Sequence, residues 1–200
     1  MKRTFITIFL IAFAIKTFSQ DSKFSAELNF PYPFDNNFIA DNYNGIIDIG
    51  AKYRFINSRK IAVGISINAG YFKSNSELTR FYGDLKIKSY LLQPKFFAEL
   101  NLYRFHPFVG IGYTSMIFKS SVSDDEIAFL SGNGGFRDGF SVNNSQSGID
   151  LNAGLQYDIT KKIFIQAQFD YIILSREPPI INSKYNTNVN LLKFGLGYRI

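Results

Sequence analysis

The segment LLKFGLGYRI, residues 191–200, alternates between two kinds of side chain. Apolar residues occupy the even positions and polar or small residues the odd ones: Leu192, Phe194, Leu196, Tyr198 and Ile200 against Lys193, Gly195, Gly197 and Arg199. A period of two is typical of a β-strand with one apolar face. That face has to be covered, so the fold depends on what the rest of the chain places against it.

The same alternation recurs in seven further segments, which we predict to be strands. They are residues 24–32, 45–55, 63–71, 89–100, 107–118, 148–158 and 163–174. Pro94 lies inside the fourth of these strands. Because proline lacks the N–H group that a strand ladder uses, we expect a bulge or local distortion there. With the terminal segment, the sequence predicts eight strands.

The connections between these strands alternate in length. Short polar turns follow the second, fourth and sixth strands, near residues 57–60, 101–106 and 160–162. Longer polar segments follow the odd-numbered strands, and the longest runs over about 119–147. Outer-membrane barrels have brief periplasmic turns and extended surface loops. The pattern therefore predicts an all-β, eight-stranded antiparallel up-and-down transmembrane β-barrel with both ends on the periplasmic side.

The polar face of the predicted strands carries charges of both signs. Its members are Glu27, Asp48, Lys52, Arg54, Lys95, Glu99, Asp150, Asp158, Asp170, Lys193 and Arg199. An eight-stranded barrel is only wide enough for side chains to fill, so we expect these groups to form a network of ion pairs in the lumen. The alternative is a soluble barrel of the lipocalin type, with its apolar face inward. That barrel would need a large cavity for an apolar ligand.

Aromatic residues favour the membrane interpretation, because they cluster at two heights of the predicted strands, as the aromatic girdles of outer-membrane barrels do. The cluster at the short-turn end contains Phe24, Phe55, Tyr103, Phe105, Phe108, Tyr157, Phe164 and Tyr198. The cluster at the long-loop end contains Tyr32, Tyr43, Tyr71, Tyr90, Phe118 and Tyr171.

The first twenty residues have the order of a secretory signal peptide. Lys2 and Arg3 precede an apolar stretch, residues 5–15, and Thr17 and Ser19 supply small residues before a cut. We expect residues 1–19 to be removed, leaving residues 20–200 as one barrel domain. Removal lowers the formal net charge from +6 by three, and the remaining Lys and Arg are scattered, so nothing indicates a nucleic-acid partner. The chain has no cysteine, so disulfides do not stabilise it.

Four segments resemble small outer-membrane barrels of the PorT-like family of Bacteroidetes and, more distantly, barrels of the OmpA/OmpX type. They are the FSQ that ends the signal, SYLLQPKFFAEL, HPFVGIGY and the closing FGLGYRI. The resemblance implies the fold and the outer-membrane location but no single activity. It also implies that the barrel-assembly machinery reads the terminal segment as an insertion signal, through Phe194, Leu196, Tyr198 and Ile200.

Candidate chemical motifs are few. The only histidine, His106, lies in a predicted periplasmic turn, away from the serine-rich loops with which a lipid hydrolase would pair it. The acidic segment 123–126 lacks the alternating ligand spacing of a calcium loop, and the glycine-rich segment 132–139 lacks the strand–helix context of a phosphate loop. We therefore expect no catalytic residue, metal or cofactor.

These observations leave three functional hypotheses. The first is a non-enzymatic, monomeric barrel that displays four loops for structural or adhesive roles. Its expected partners are the lipid bilayer, lipopolysaccharide, the barrel-assembly machinery and an extracellular ligand or envelope partner. The second is a narrow channel for ions or small solutes. The third is a lipid-modifying enzyme.

Overall fold

Eight antiparallel strands, each paired with its neighbours in sequence, close into one barrel. The computed structural model describes residues 23–75, 86–121, 141–175 and 183–200. The strands are β1 Phe24–Phe34, β2 Tyr43–Asn57, β3 Ile61–Ser74, β4 Lys86–Leu100, β5 Phe105–Ser121, β6 Ser141–Asp158, β7 Ile163–Ser175 and β8 Asn188–Arg199. Two short helices, α1 Phe38–Asn42 and α2 Lys184–Thr187, precede β2 and β8. The predicted eight-stranded up-and-down barrel is confirmed.

The terminal segment is the strand that completes the wall. β8 pairs with β7 on one side and with β1 on the other, where Ala26 lies opposite Tyr198 and Phe30 opposite Phe194. Closure leaves no open sheet edge, which in hydrocarbon would expose unpaired backbone groups at several kcal/mol each.

Alternate residues of each strand face the lumen and the outside. Along β1, Glu27 is 5% exposed, whereas its neighbour Leu28 is 52% exposed. The outer surface is almost entirely apolar over the middle of the strands, because Ile, Leu, Val, Phe and Tyr take the outward positions. This polarity is the reverse of a water-soluble barrel and matches the lipid-facing band of an outer-membrane barrel.

Within the described ranges, the barrel wall has two register shifts, both between β2 and β3. They fall between Gly45 and Ile47 and between Arg54 and Ile56. At each shift two successive apolar side chains face outward, Ile46 with Ile47 and Phe55 with Ile56. A bulge places two residues opposite one, which is how consecutive apolar residues share one face.

Pro94 interrupts the pairing of β4 with β5 without changing its register. Pairing stops after Leu92 opposite Ser115 and resumes with Lys95 opposite Gly112. Gly112 permits this close approach, since a Cβ there would overlap the carbonyl oxygen of Pro94. The predicted distortion is therefore a gap in the ladder, while the bulges lie in β2.

The strands at the long-loop end extend further than predicted. β5 continues to Ser121 and β6 begins at Ser141, so the longest connection is 122–140 and not 119–147. Periodicity did not predict these extensions, because residues 141–147 have the sequence SVNNSQS, in which apolar and polar residues do not alternate.

Three segments singled out in the sequence lie outside the described residues: the signal segment 1–19, the acidic segment 123–126 and the glycine-rich segment 132–139. No helix in the described ranges is long and apolar enough to cross a membrane.

Candidate functional site in the barrel lumen

The middle of the lumen is filled by an alternating chain of acidic and basic side chains. Lys193 Nζ lies 2.9 Å from Asp48 and 3.0 Å from Asp170, and Lys95 Nζ lies 3.1 Å from Asp170 and 2.9 Å from Asp150. The five groups come from five different strands, β2, β4, β6, β7 and β8, so the chain crosses the bore. None of these five side chains retains any exposed area. We call this set the central charge layer.

Neutral side chains satisfy much of the remaining hydrogen-bonding capacity of the central charge layer. Gln93 donates to Asp150 at 2.7 Å and accepts from Lys193. Asn29 and Asn68 each donate to Asp48 at 2.9 Å. Charges taken out of water are tolerated only when partners of this kind surround them.

A second set of pairs lies nearer the short-turn end. Lys52 contacts Glu27 at 2.7 Å, and Arg54 contacts Glu99 at 3.0 Å. Gln166 donates to Glu27 at 3.0 Å and to Asn29 at 2.7 Å. Because Asn29 also bonds Asp48, the lower pairs and the central charge layer form one hydrogen-bonded network.

The short-turn mouth of the barrel is closed by Asp158, Arg199 and His106. Arg199 donates to Asp158, and Nε2 of His106 lies 3.0 Å from the same carboxylate. The other ring nitrogen of His106 lies 3.0 Å from Asn101 and 3.6 Å from Glu99. In the part of the chain that the structure describes, the contacts of this imidazole are with carboxylate and amide side chains, and no serine hydroxyl is among them.

Aromatic rings pack against the cations of the lower lumen. Nζ of Lys52 lies 4.2 Å from the ring centre of Phe108 and 5.7 Å from that of Phe97, and the guanidinium of Arg199 lies 4.9 Å from the ring centre of Phe164. These contacts are within the range of cation–π attraction. The assignment of Phe108 and Phe164 to an outer girdle is therefore wrong, since both rings are buried in the lumen.

The lumen at the long-loop end is apolar instead of charged. A cluster of buried side chains fills it: Ile39, Tyr43, Phe72, Leu91, Met116, Ile172, Leu174, Val189 and Leu191. Phe118 is half-buried against this cluster. The predicted outer-girdle positions of Tyr43 and Phe118 are wrong for this reason. We call this set the apolar layer.

Helix α1 seals the apolar layer from above. Asn37 caps the helix by accepting from the backbone N–H groups of Ile39 at 3.1 Å and Ala40 at 2.9 Å. The cap directs Ile39 into the apolar layer, where it is 2% exposed. Tyr185 of α2 donates to Asp41 of α1 at 2.9 Å, which ties the fourth loop to the first. This bond raises the pKa of the exposed Tyr185 hydroxyl, because the nearby carboxylate disfavours its ionisation.

The apolar layer was missed because only one face of each strand was expected to be apolar. Its signal is a run of consecutive apolar residues, as in Leu91–Leu92, Met116–Ile117, Ile172–Ile173–Leu174 and Leu191–Leu192. A strand covered on both faces reads in this way. Four such runs occur near the same end of the barrel, so the layer could have been found from the sequence.

All eleven charged residues proposed for the lumen line it, and nine of them form the ion pairs of the central charge layer and the lower pairs. The other two, Asp158 and Arg199, pair with each other at the short-turn mouth. Of the four residues proposed as an insertion signal, Phe194, Leu196 and Tyr198 face outward on β8, and Ile200 follows the strand and is half-buried. Their recognition by an assembly machinery stays a prediction. Among the described residues, no group of acidic or histidine side chains is arranged to hold a metal ion.

Solved structures of small outer-membrane barrels share this fold at low sequence identity. Neisserial surface protein A (NspA) aligns with a TM-score of 0.60 and 12% identity, covering 89% of this chain and 97% of that chain. Ail of Yersinia pestis, solved in complex with the heparin analogue sucrose octasulfate, gives 0.55 and 16%, covering 88% and 96%. A major outer membrane protein from Thermus thermophilus gives 0.58 and 11%, covering 88% and 98%.

No curated protein matches the chain significantly. The model of the outer membrane protein beta-barrel domain family, in contrast, matches residues 5–199, nearly the whole chain. That match agrees with the closed barrel, the apolar outer wall and the charged lumen. The chain therefore belongs to the outer membrane protein beta-barrel domain family, and it is a protein of the outer membrane.

Proposed function

We propose that the barrel is a sealed, non-enzymatic scaffold that holds its loops at the cell surface. The observation that carries this proposal is the filling of the lumen at two successive levels. The side chains of the central charge layer have no exposed area, and the apolar layer closes the bore above them. On this proposal the barrel neither conducts solutes nor carries catalytic residues, so the loops are the parts of the protein that can bind a partner.

The apolar layer argues against the rival hypothesis of a narrow channel. An ion that entered from the short-turn end would meet paired carboxylates and ammonium groups, which it could reach only by breaking buried ion pairs. It would then have to cross a layer of Phe72, Met116 and Leu191, whose side chains are fully buried. Taking a charge into such surroundings is strongly unfavourable.

Planar bilayers test this proposal. We expect the purified barrel to give no conductance steps at any voltage at which the bilayer is stable. The double variant Ile39→Ala with Met116→Ala removes volume from the apolar layer only, and we expect it to stay closed too, because the central charge layer still fills the bore. Regular steps from the wild-type protein would overturn the proposal and favour the channel.

The third hypothesis, a lipid-modifying enzyme, has no support from the contacts of His106. The imidazole is held by Asp158 and Asn101 at the short-turn mouth. Altered lipid A or phospholipid chains in a strain lacking the gene would contradict this part of the proposal.

The segment 122–140 is our first choice for a displayed module that contacts an extracellular ligand or an envelope partner. Since β5 ends at Ser121 and β6 begins at Ser141, deletion of residues 123–139 leaves both strands complete. We expect the deletion variant to insert and to show the same heat-modifiable mobility as the wild type. Failure to fold would mean that this segment is part of the barrel and not a module.

Three finer points belong to the same proposal. The segments SYLLQPKFFAEL and FGLGYRI support a place in the PorT-like group of the family. The outward-facing Phe194, Leu196 and Tyr198 support recognition by the barrel-assembly machinery. The closed lumen supports a monomer, since one chain completes the barrel. Cross-linking in intact membranes tests the last point, and a specific dimer band would contradict it.

A further inference from the structure

Three lysines stand side by side on the outer surface near the long-loop end. The register places Lys73 of β3 opposite Lys88 of β4, and Lys88 opposite Lys119 of β5. All three are exposed, while the flanking Phe72 and Ser89 point into the lumen. The lysines therefore share the outward face at one height. We call them the lysine row.

The lysine row lies at the upper border of the apolar band. Below Lys88, the outward positions of β4 are apolar or aromatic from Tyr90 to Leu100. Ten residue steps at about 3.3 Å, tilted by about 40°, give a height of about 25 Å, which is that of the lipid-facing band of outer-membrane barrels. Tyr71 and Tyr90, whose ring centres are 5.5 Å apart, lie between this apolar band and the lysines, where an aromatic girdle is expected. The lysine row is thus at the level of the lipid headgroups.

The charges of the lysine row repel one another. Like charges directly opposite on neighbouring strands destabilise a sheet. Within residues 23–75, 86–121, 141–175 and 183–200, none of the three lysines forms an ion pair with a carboxylate. Lys119 has a contact with the Tyr90 ring, 5.6 Å from its centre, which orders the ammonium group without neutralising it. An anion bound between the lysines would offset this repulsion.

We infer that the lysine row binds the phosphate groups of lipid A, the phosphorylated glycolipid of the outer leaflet. The row faces sideways into the headgroup region, so a membrane lipid reaches it more directly than a soluble anion does. Adjacent cations a strand spacing apart suit a headgroup that carries more than one phosphate. The inference rests on the outer-membrane placement with long loops outward, and it is independent of whether the lumen is sealed.

A groove in the outer wall supports a lipid as the occupant. It has a volume of about 610 Å³, and its lining includes Ala51, Pro94 and Gly112 together with the rings of Phe96 and Tyr113. Pro94 lies six residues below Lys88 on β4, about 20 Å along the strand and about 15 Å in depth after tilt. That depth is half of a hydrocarbon core of about 30 Å. An acyl chain that starts at the headgroups of the outer leaflet therefore reaches the level of the groove.

Binding of defined lipids to the detergent-purified protein tests the inference. We would compare the wild type with the triple variant K73Q/K88Q/K119Q, and read out bound diphosphoryl lipid A by native mass spectrometry. Each lysine near an anionic lipid surface adds to the affinity, so the loss of three should weaken the binding of lipid A by about 100-fold. The matched control, K60Q/K161Q/K162Q, removes three exposed lysines from the turns at the opposite end, and its affinity should stay within about threefold of the wild type.

Further arms identify the source of the anion. Lipid A without phosphates should bind to the wild type as weakly as diphosphoryl lipid A binds to the triple variant. Ala51→Phe, which fills the groove, should weaken binding while leaving the lysine row intact. Inorganic phosphate that displaced lipid A at micromolar concentration would indicate a soluble-anion site and overturn the inference. Undiminished binding by the folded triple variant would also overturn it, because the row would then be neutralised from within the chain.

Discussion

The two layers of the lumen are held together by different physics, although they lie next to each other in the same barrel. The central charge layer depends on directed partners, since each cation serves two carboxylates. The apolar layer depends on volume, because its side chains interact without fixed directions. Measurements of the free energy of unfolding should therefore distinguish the two layers. Removal of a charge should be most damaging in the central charge layer, and a change of side-chain volume should be most damaging in the apolar layer.

The largest effect should come from Lys193→Met. This change keeps the length of the side chain but leaves Asp48 and Asp170 without the ammonium group that lies within 3.0 Å of both. Breaking a buried ion pair by removing one partner costs about 3–5 kcal/mol. Urea unfolding in lipid vesicles measures the loss, and Lys162→Met in an exposed turn is the control. A loss below about 1 kcal/mol would mean that water or a proton replaces the missing charge.

A smaller but still large effect should follow from Ile39→Ala, which withdraws the side chain that α1 inserts into the apolar layer. Removing a buried Ile side chain costs about 2–5 kcal/mol, and we expect the lower end because the cavity lies near the mouth and can collapse. The same unfolding assay measures it. An Ala40→Gly control tests whether α1 itself is disturbed, and an equal loss in both variants would point to the helix and not to the buried contact.

The two layers differ most clearly in their response to substitutions that conserve volume. In the apolar layer, Leu191→Met changes the shape of the side chain but hardly changes its volume. Leu191 is fully buried, yet volume-conserving apolar exchanges cost less than about 1.5 kcal/mol. The adjacent layer offers the matched change Asp170→Asn, which also conserves volume. If Asp170→Asn were tolerated as well as Leu191→Met, the distinction between the layers would fail.

The smallest effect should come from Tyr185→Phe on the lid formed by α1 and α2. The hydroxyl donates to Asp41 on an exposed surface, so we expect a loss below about 1 kcal/mol. Because the pKa of Tyr185 is raised, its contribution is complete below the ordinary tyrosine pKa of about 10 and disappears as the pH rises through the raised value. Wild type and variant should therefore converge in stability at strongly alkaline pH. A difference that persisted there would assign the effect to packing.

The sequence sufficed for the barrel and for the charged part of its lumen. Period two fixed which residues share a face, and the alternation of loop lengths fixed the up-and-down order. The charges were identifiable because Glu27, Asp48 and Lys193 each interrupt an otherwise apolar segment. Periodicity does not predict which cation pairs with which carboxylate. Lys193 and Asp48 are 145 residues apart, and they meet only because the barrel closes.

The apolar layer and the bulges of β2 escaped prediction for a related reason. Single-face periodicity assigns every second residue to lipid, so it has no place for Ile172 inside and Ile173 outside, or for Ile46 and Ile47 together outside. Consecutive apolar residues in a membrane strand signal either a bulge or a lumen that has become apolar. The lysine row was equally hidden, because its members are far apart in sequence and meet only through register.

The seam between β1 and β8 determines when this barrel can form. The backbone N–H of Ile200 donates to the carbonyl of Phe24 at 2.9 Å, so the sheet joins residues at opposite ends of the described chain. A nascent chain that lacks β8 has two unpaired edges and no closed state to adopt in hydrocarbon. β8 therefore has to leave the ribosome before closure begins, and the polypeptide has to be kept unfolded until then. Contacts between residues far apart in sequence also slow folding. The unclosed chain is therefore exposed to proteases and to aggregation for longer than a sheet built only from local hairpins would be.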